Sequence, residues 1–119
     1  MKFDIVTIFP SMFEQPLAVG VVGRAIDQGL LEVRIRDLRD FTRDRHRVVD
    51  DVPYGGGPGM VLKPEPIFGA LAAIEAEIGR PSAVILTTPQ GARFTQGDAR
   101  RLSELGHIVL VCGRYEGVD

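Results

Sequence analysis

Short apolar segments alternate along the chain with segments of helical spacing, and this alternation restricts the fold more than any other feature. The strand-like segments are residues 2–9, 31–36, 83–86 and 108–112, and the helical ones are 11–17, 22–28, 65–78 and 95–105. Strands separated by helices need crossover connections, which produce parallel pairing. The pattern therefore predicts the α/β class, with a parallel sheet flanked by helices.

Local signals define several of these segments more closely. Residues 83–86 and 108–112 are continuously apolar, which is typical of strands covered on both faces. The third helix should stop at Gly79, and Thr95 followed by Asp98 has the spacing of a capping box at the start of the fourth. Between residues 37 and 59 the apolar rhythm disappears, and a loop of this length is more often functional than filler.

Length and composition exclude several classes of protein. The chain has 119 residues, enough for one domain, and no apolar run approaches the roughly 20 residues of a membrane span. Asp4 interrupts the first apolar segment, which indicates a buried first strand rather than a signal peptide. A single cysteine, Cys112, forms no internal disulfide and supplies no cysteine-type metal site, so we expect a cytoplasmic protein.

The basic residues are concentrated in one stretch. The whole chain carries a formal charge of −2, but residues 34–47 hold six arginines against three aspartates, a local charge of +3. One interpretation is a solvated face of internal Arg–Asp pairs. The other is a surface for phosphate or guanine edges, to which the planar guanidinium is suited.

Two loops follow the continuously apolar strands, where ligands of open parallel sheets collect. Residues 87–91 read TTPQG and residues 113–117 read GRYEG. By spacing alone either loop could be an ordinary turn. The glycine-rich segment 55–59 lacks the lysine of a P-loop. Cys112 and His107 suggest no functional role by themselves.

Taken together, the motifs resemble one family. The string DRHR at 44–47, PYGGGPGM at 53–60, PQG at 89–91 and CGRYEG at 112–117 occur in this order over the whole chain. In order and spacing they are similar to the bacterial tRNA (guanine-N1)-methyltransferases of the SPOUT class. The resemblance implies a homodimeric enzyme that binds S-adenosylmethionine in a trefoil knot and methylates N1 of guanosine 37, beside the anticodon of tRNA.

The resemblance also implies roles for matching positions. Glu116 would assist catalysis by positioning the methionine end or the incoming base, and no residue is expected to bind a metal; magnesium enters only as a family expectation. The cofactor would be held by Leu86, Thr87, Thr88, Pro89, Gln90, Gly91, Gly113, Arg114, Tyr115, Glu116 and Gly117. The RNA would be contacted by Arg24, Arg43, Arg45, His46, Arg47, Asp50 and Gly59.

Against the family pattern, residues 1–119 correspond to the N-terminal part of the SPOUT domain. The general base would lie beyond residue 119, the knot would be incomplete, and the C-terminal tRNA-binding domain would be absent. We therefore expect negligible methyltransferase activity from this chain alone. The alternatives are a non-catalytic RNA-binding α/β module that uses the arginine-rich loop, and a phosphate-handling nucleotide-binding domain. Competition between S-adenosylmethionine and its product for one pocket would separate the enzyme from the RNA-binding module.

Overall fold

The computed structural model describes residues 1–42, 50–51, 61–87 and 93–112, with only the backbone described at 50–51 and 61–62. The strands are β1 (Lys2–Thr7), β2 (Glu32–Asp37), β3 (Asp50–Asp51), β4 (Val61–Leu62), β5 (Ala83–Thr87) and β6 (His107–Cys112). The α-helices are α1 (Glu14–Ala18), α2 (Gly20–Asp27), α3 (Pro64–Ile78) and α4 (Gln96–Ser103), and 3-10 helices span Pro10–Phe13 and Leu38–Phe41.

Four strands form one parallel sheet in the order β2-β1-β6-β5, which confirms the predicted α/β class. The register aligns Lys2 of β1 with Glu32 of β2 and with His107 of β6. The first strand therefore lies in the centre, between its sequence neighbour β2 and the distant β6. Separately, β3 and β4 pair antiparallel.

The main core lies between α3 and one face of this sheet. Its buried members are Val6, Ile8, Leu38, Ile67, Ala70, Ile74, Val109 and Val111. The predicted helical stripe is confirmed, because Ile67 and Ile74 are buried while Leu71 and Ile78 pack against the core from its rim. Residues 37–59 were expected to lack apolar structure. The first part of this segment instead forms the 3-10 helix Leu38–Phe41, and Leu38 is buried in the core.

Two predicted helix boundaries are also confirmed. The α3 helix ends at Gly79, whose φ of 114° lies in a region that side-chain-bearing residues rarely adopt. At the start of α4, the Thr95 hydroxyl accepts a hydrogen bond from the Asp98 N–H at 3.1 Å, and Asp98 accepts from the Thr95 N–H at 3.0 Å. Both signals are local in sequence, which is why they could be identified without the tertiary structure.

One expectation about the sheet was wrong. The apolar segment 83–86 was expected to be covered on both faces, but Val84 and Leu86 are 49% and 43% exposed. The reason is position, because β5 is at the edge of the sheet and the core beneath α3 includes no β5 residue within the described part of the chain. By contrast, β6 is central, and its residues Ile108, Val109 and Val111 are buried as predicted.

Candidate functional site at the carboxyl edge of the sheet

The strands that precede the two candidate cofactor loops end side by side. In the parallel pair of β5 and β6, Leu86 is the partner of Val111 and Thr87 is the partner of Cys112. Neighbouring strands of a sheet lie about 4.8 Å apart. The segments that begin at residues 88 and 113 therefore leave the same edge of the sheet from adjacent positions.

The predicted site residues are distributed between described and undescribed parts of the chain. Leu86 and Thr87 close β5, Arg24 is exposed on α2, and the backbone of Asp50 pairs with Leu62 between β3 and β4. Outside the described residues lie Thr88, Pro89, Gln90, Gly91, Gly113, Arg114, Tyr115, Glu116, Gly117, Arg43, Arg45, His46, Arg47 and Gly59. Their roles stay predictions.

Asp51 pairs with Val61, so the chain on either side of residues 52–60 is held together. The glycine-rich motif is thus inserted between two paired strand residues. This arrangement fixes the two points from which the motif leaves the described structure.

Cys112 at the end of β6 is a free cysteine whose thiol is less acidic than that of an exposed cysteine. Burial raises the pKa of its thiol, and a hydrogen bond with Thr87 lowers it by less, so the net pKa is above the ordinary cysteine value. The Thr87 hydroxyl lies 3.3 Å from the Val111 carbonyl oxygen, to which it donates its one hydrogen when the neighbouring thiol is protonated. Thr87 therefore ties the two strand ends together, and the thiol stays protonated near neutral pH.

We expect Cys112 to be alkylated several-fold more slowly than free cysteine near neutral pH, because the thiolate is the reactive form and its population falls as the pKa rises. The rate should keep increasing above the pH at which free cysteine levels off. Thr87→Val removes the hydrogen bond that lowers the pKa and should slow the reaction further. Iodoacetamide labelling followed by mass spectrometry measures these rates, and a rate equal to that of free cysteine would contradict the assignment.

A second polar cluster, at the opposite part of the sheet, was not found from the sequence. Asp4 of β1 is 1% exposed, and its two carboxylate oxygens face different strands. Oδ1 accepts a hydrogen bond from Arg36 Nε of β2 at 2.9 Å, and Oδ2 lies 2.6 Å from His107 Nε2 of β6. A carboxylate inside an apolar strand was the one available signal, since a buried charge requires a partner.

The cluster continues to the surface through Arg36. Its Nη1 donates to Glu77 Oε2 of α3 at 2.8 Å, while Arg34 Nη2 donates to Glu32 Oε1 at 2.7 Å. Burial lowers the pKa of Arg36, but the hydrogen bonds and charges of Glu77 and Asp4 outweigh it, so the net pKa is raised. Arg34 and Arg36, the first two arginines of the basic stretch, are thus engaged within the protein and less available to a phosphate.

Within the described ranges, no three His, Cys, Asp or Glu side chains are grouped so that they could hold a metal ion. The helices of those ranges include none with the length and apolar character needed to span a bilayer.

Comparison with known proteins supplies the family. The family model for tRNA (Guanine-1)-methyltransferase TrmD matches residues 1–119. The chain is 53% identical over 120 residues to a tRNA (guanine-N(1)-)-methyltransferase of Geobacter metallireducens, and 54% identical over 119 residues to one of Dictyoglomus turgidum. These alignments cover 100% of this chain but 48% and 47% of the relatives, so the chain spans about half the length of the curated relatives it matches.

A solved structure agrees with the sequence comparison. The crystal structure of the tRNA (m1G37) methyltransferase from Aquifex aeolicus superposes with a TM-score of 0.91 at 44% sequence identity, covering 100% of this chain and 53% of that one. The sheet order and the edge formed by β5 and β6 thus occur within a SPOUT methyltransferase fold. Because the family model covers the entire chain and both relatives are more than half identical to it, the chain belongs to the tRNA (guanine-1)-methyltransferase TrmD family.

Proposed function

We propose that this protein is an S-adenosylmethionine-dependent tRNA methyltransferase that modifies N1 of guanosine 37, and that residues 1–119 form the N-terminal part of its SPOUT domain. The observation that carries the proposal is the pairing of Thr87 with Cys112, which starts both candidate cofactor loops from one edge. Family membership supplies the reaction class.

The residues at this edge fit a nucleoside cofactor. Among the described strands β5 pairs only with β6, so its other backbone edge can offer N–H and C=O groups to a purine and a ribose. The half-exposed Leu86 side chain offers apolar surface for an adenine ring. In the proposal, residues 86–91 and 113–117 hold the cofactor from two sides, and Glu116 positions the methionine end or the incoming base.

When bound, S-adenosylmethionine supplies a methyl group already activated by its sulfonium. What the protein must add is mainly alignment of guanine N1 with that methyl, which is a positioning task for rigid strand ends. The tie between Thr87 and the Val111 carbonyl contributes this rigidity in the described structure. The N1 proton must also be removed by a general base, and we assign that role to no described residue.

The proposed RNA contacts and the proposed contact with a second subunit both involve the region of α2. Arg24, exposed on α2, is proposed to contact tRNA together with Arg43, Arg45, His46, Arg47, Asp50 and Gly59. The segment 12–22 leaves Met12, Val19, Val21 and Val22 exposed, and we infer that this apolar surface is covered by a second copy of the chain. Because tRNA is the proposed substrate, we also infer a cytoplasmic location. No magnesium ligand is assigned.

The glycines at the two ends of β6 give a matched test of the cofactor site. Gly113 follows β6 at the proposed site, and Gly106 precedes β6 at the opposite edge, where an added Cβ would meet nothing within 4 Å. We expect Gly113→Ala to weaken binding of S-adenosylhomocysteine by at least about tenfold, equivalent to about 1.4 kcal/mol, because a side chain would obstruct close approach of the backbone to the ligand. Gly106→Ala should bind as the wild type does.

Isothermal titration calorimetry measures both affinities. Turnover is measured as methylation of a G37 tRNA by the full-length protein, because residues 1–119 alone are expected to have negligible activity. Competition between S-adenosylmethionine and S-adenosylhomocysteine for one site would support the enzyme. Binding of tRNA with no affinity for either ligand would instead favour the RNA-binding module. If Gly113→Ala and Gly106→Ala lost equal ligand affinity, the carboxyl end of β6 would not be part of the cofactor site.

A further inference from the structure

We propose that the buried Asp4–His107 pair is a register lock, which fixes how β6 aligns with β1 and thereby where the chain enters the cofactor loop after β6. The pair lies in the central strands, with Asp4 at 1% and His107 at 8% exposure. The inference rests on the proposed function only in its last step, the link from register to cofactor binding.

The apolar pattern of β6 does not define its register by itself. Between His107 and Cys112 its residues are Ile108, Val109, Leu110 and Val111, and both faces of the strand are buried in the middle of the sheet. A slip of one or two residues would exchange one aliphatic side chain for another in most positions. In a strand with one buried face, a slip by one residue is prevented because it would exchange apolar and polar side chains between the two faces. In β6 both faces are apolar and buried, so this constraint on the register is weak.

His107 is the one residue of β6 that distinguishes the observed alignment. With Lys2 opposite His107 and Asp4 opposite Val109, the imidazole reaches the carboxylate at 2.6 Å. A slip by one residue would turn His107 toward the other face of the sheet. A slip by two toward the amino end of β1 would move it along the strand by about 6.6 Å, too far for the hydrogen bond. Either of these changes would leave the buried Asp4 without its partner on this side. A slip by two toward the carboxyl end of β1 would bring His107 directly opposite Asp4, so the contact selects the observed register against the other slips only.

The contact of Asp4 with β2 specifies a strand register less strongly than its contact with β6. The register lock therefore acts on β6. The partner there is Arg36 of β2, and Arg34 is two residues earlier on the same strand. A two-residue slip of β2 would bring one arginine to the place of the other. His107 has no such substitute in β6.

The cluster is also poorly arranged for stability alone. It buries a carboxylate, and Nη2 of Arg36 is buried with no hydrogen-bond partner among the described residues. Replacing a buried ion pair by apolar side chains of similar size is often neutral or stabilising. We therefore attribute the charged groups at this position to their effect on strand alignment rather than to a gain in stability.

The register has a direct consequence at the far end of β6. Each residue of slip would displace Cys112, the last described residue of β6, by about 3.3 Å relative to the end of β1, where Val6 is the partner of Val111. Asp4 and His107 are accordingly positioning residues for the proposed cofactor site, although they lie at the other end of the strands.

The test is the double variant Asp4→Leu/His107→Leu, examined by NMR of the isotopically labelled protein. The wild type should give one set of amide signals for β6 and one set of cross-strand contacts, including Phe3 with Ile108. The double variant should stay folded, with a urea midpoint at or above that of the wild type, but give two or more sets of β6 signals or contacts of shifted register. Glu77→Gln, which disturbs only the exposed end of the cluster, should keep the single set.

A single set of signals with wild-type contacts in the double variant would overturn the lock. If the double variant does not fold, His107→Leu alone removes the contact from the β6 side and provides the same readout, and a single wild-type register in that variant would likewise overturn it. The proposed function is tested separately, by titrating the wild type with S-adenosylhomocysteine. A wild type that binds no ligand contradicts the function, whereas the NMR result judges the lock without any ligand.

Discussion

Ile74→Ala should destabilise the chain by about 2–5 kcal/mol, the range typical of cutting a fully buried large aliphatic side chain back to alanine. Ile74 has no exposed surface and lies where α3 packs against Val6 and Val109 of the two central strands. Removing three carbon atoms there loses their transfer free energy and leaves a cavity that the surrounding sheet fills only in part. A loss of this size is a large fraction of the 5–15 kcal/mol that typical domains have in total.

Urea unfolding followed by circular dichroism measures this effect, and we expect the midpoint to fall by about 1 M or more. The matched control is Phe68→Ala on the same helix, because Phe68 is 66% exposed. That variant should change the free energy of unfolding by no more than about 0.5 kcal/mol. If the two variants lost similar amounts, α3 would not be buried along the face described.

Gly23→Ala is the second change expected to have a large effect, through overpacking rather than a cavity. A Cβ at Gly23 of α2 would lie 2.6 Å from both the carbonyl carbon and the carbonyl oxygen of Ala18 at the end of α1. Because both contacts are with backbone, α1 and α2 would have to move apart. We expect a net loss of about 1–3 kcal/mol, although alanine has the higher helix propensity by about 1 kcal/mol.

Gly97→Ala in α4 is the control for this prediction. There the nearest atom to the added Cβ is the Thr95 hydroxyl oxygen at 3.7 Å, an ordinary contact. The propensity gain should therefore appear as a stabilisation of up to about 1 kcal/mol. Thermal unfolding of the two variants should shift in opposite directions, and stabilisation by Gly23→Ala would show that α1 and α2 separate at no cost.

Features with a local cause were the ones that the sequence predicted well. The capping box at Thr95 and Asp98 and the end of α3 at Gly79 depend on residues within one helical turn, and both are present as expected. The class of the fold was also accessible, because alternating strands and helices leave few arrangements. The motifs that resemble the family gave the reaction class without any coordinates.

Features that depend on sheet order were not accessible in the same way. The run from Ala83 to Thr87 is as apolar as a central strand, and nothing in it states that β5 lies at an edge with Val84 and Leu86 exposed. Asp4 and His107 are 103 positions apart, and neither suggested the other. The general rule for parallel sheets placed both candidate loops at the carboxyl edge of the sheet, but the register that pairs Thr87 with Cys112 required the structure.

The central place of β1 has a consequence for how this protein is made. The first strand to leave the ribosome is the one whose second partner, β6, is synthesised last among the described strands. At about 5–20 residues per second, the 75 positions from Asp37 to Cys112 take roughly 4–15 s to translate. During that interval the nascent chain presents one unpaired edge of β1, which is when chaperones or aggregation compete most directly with folding.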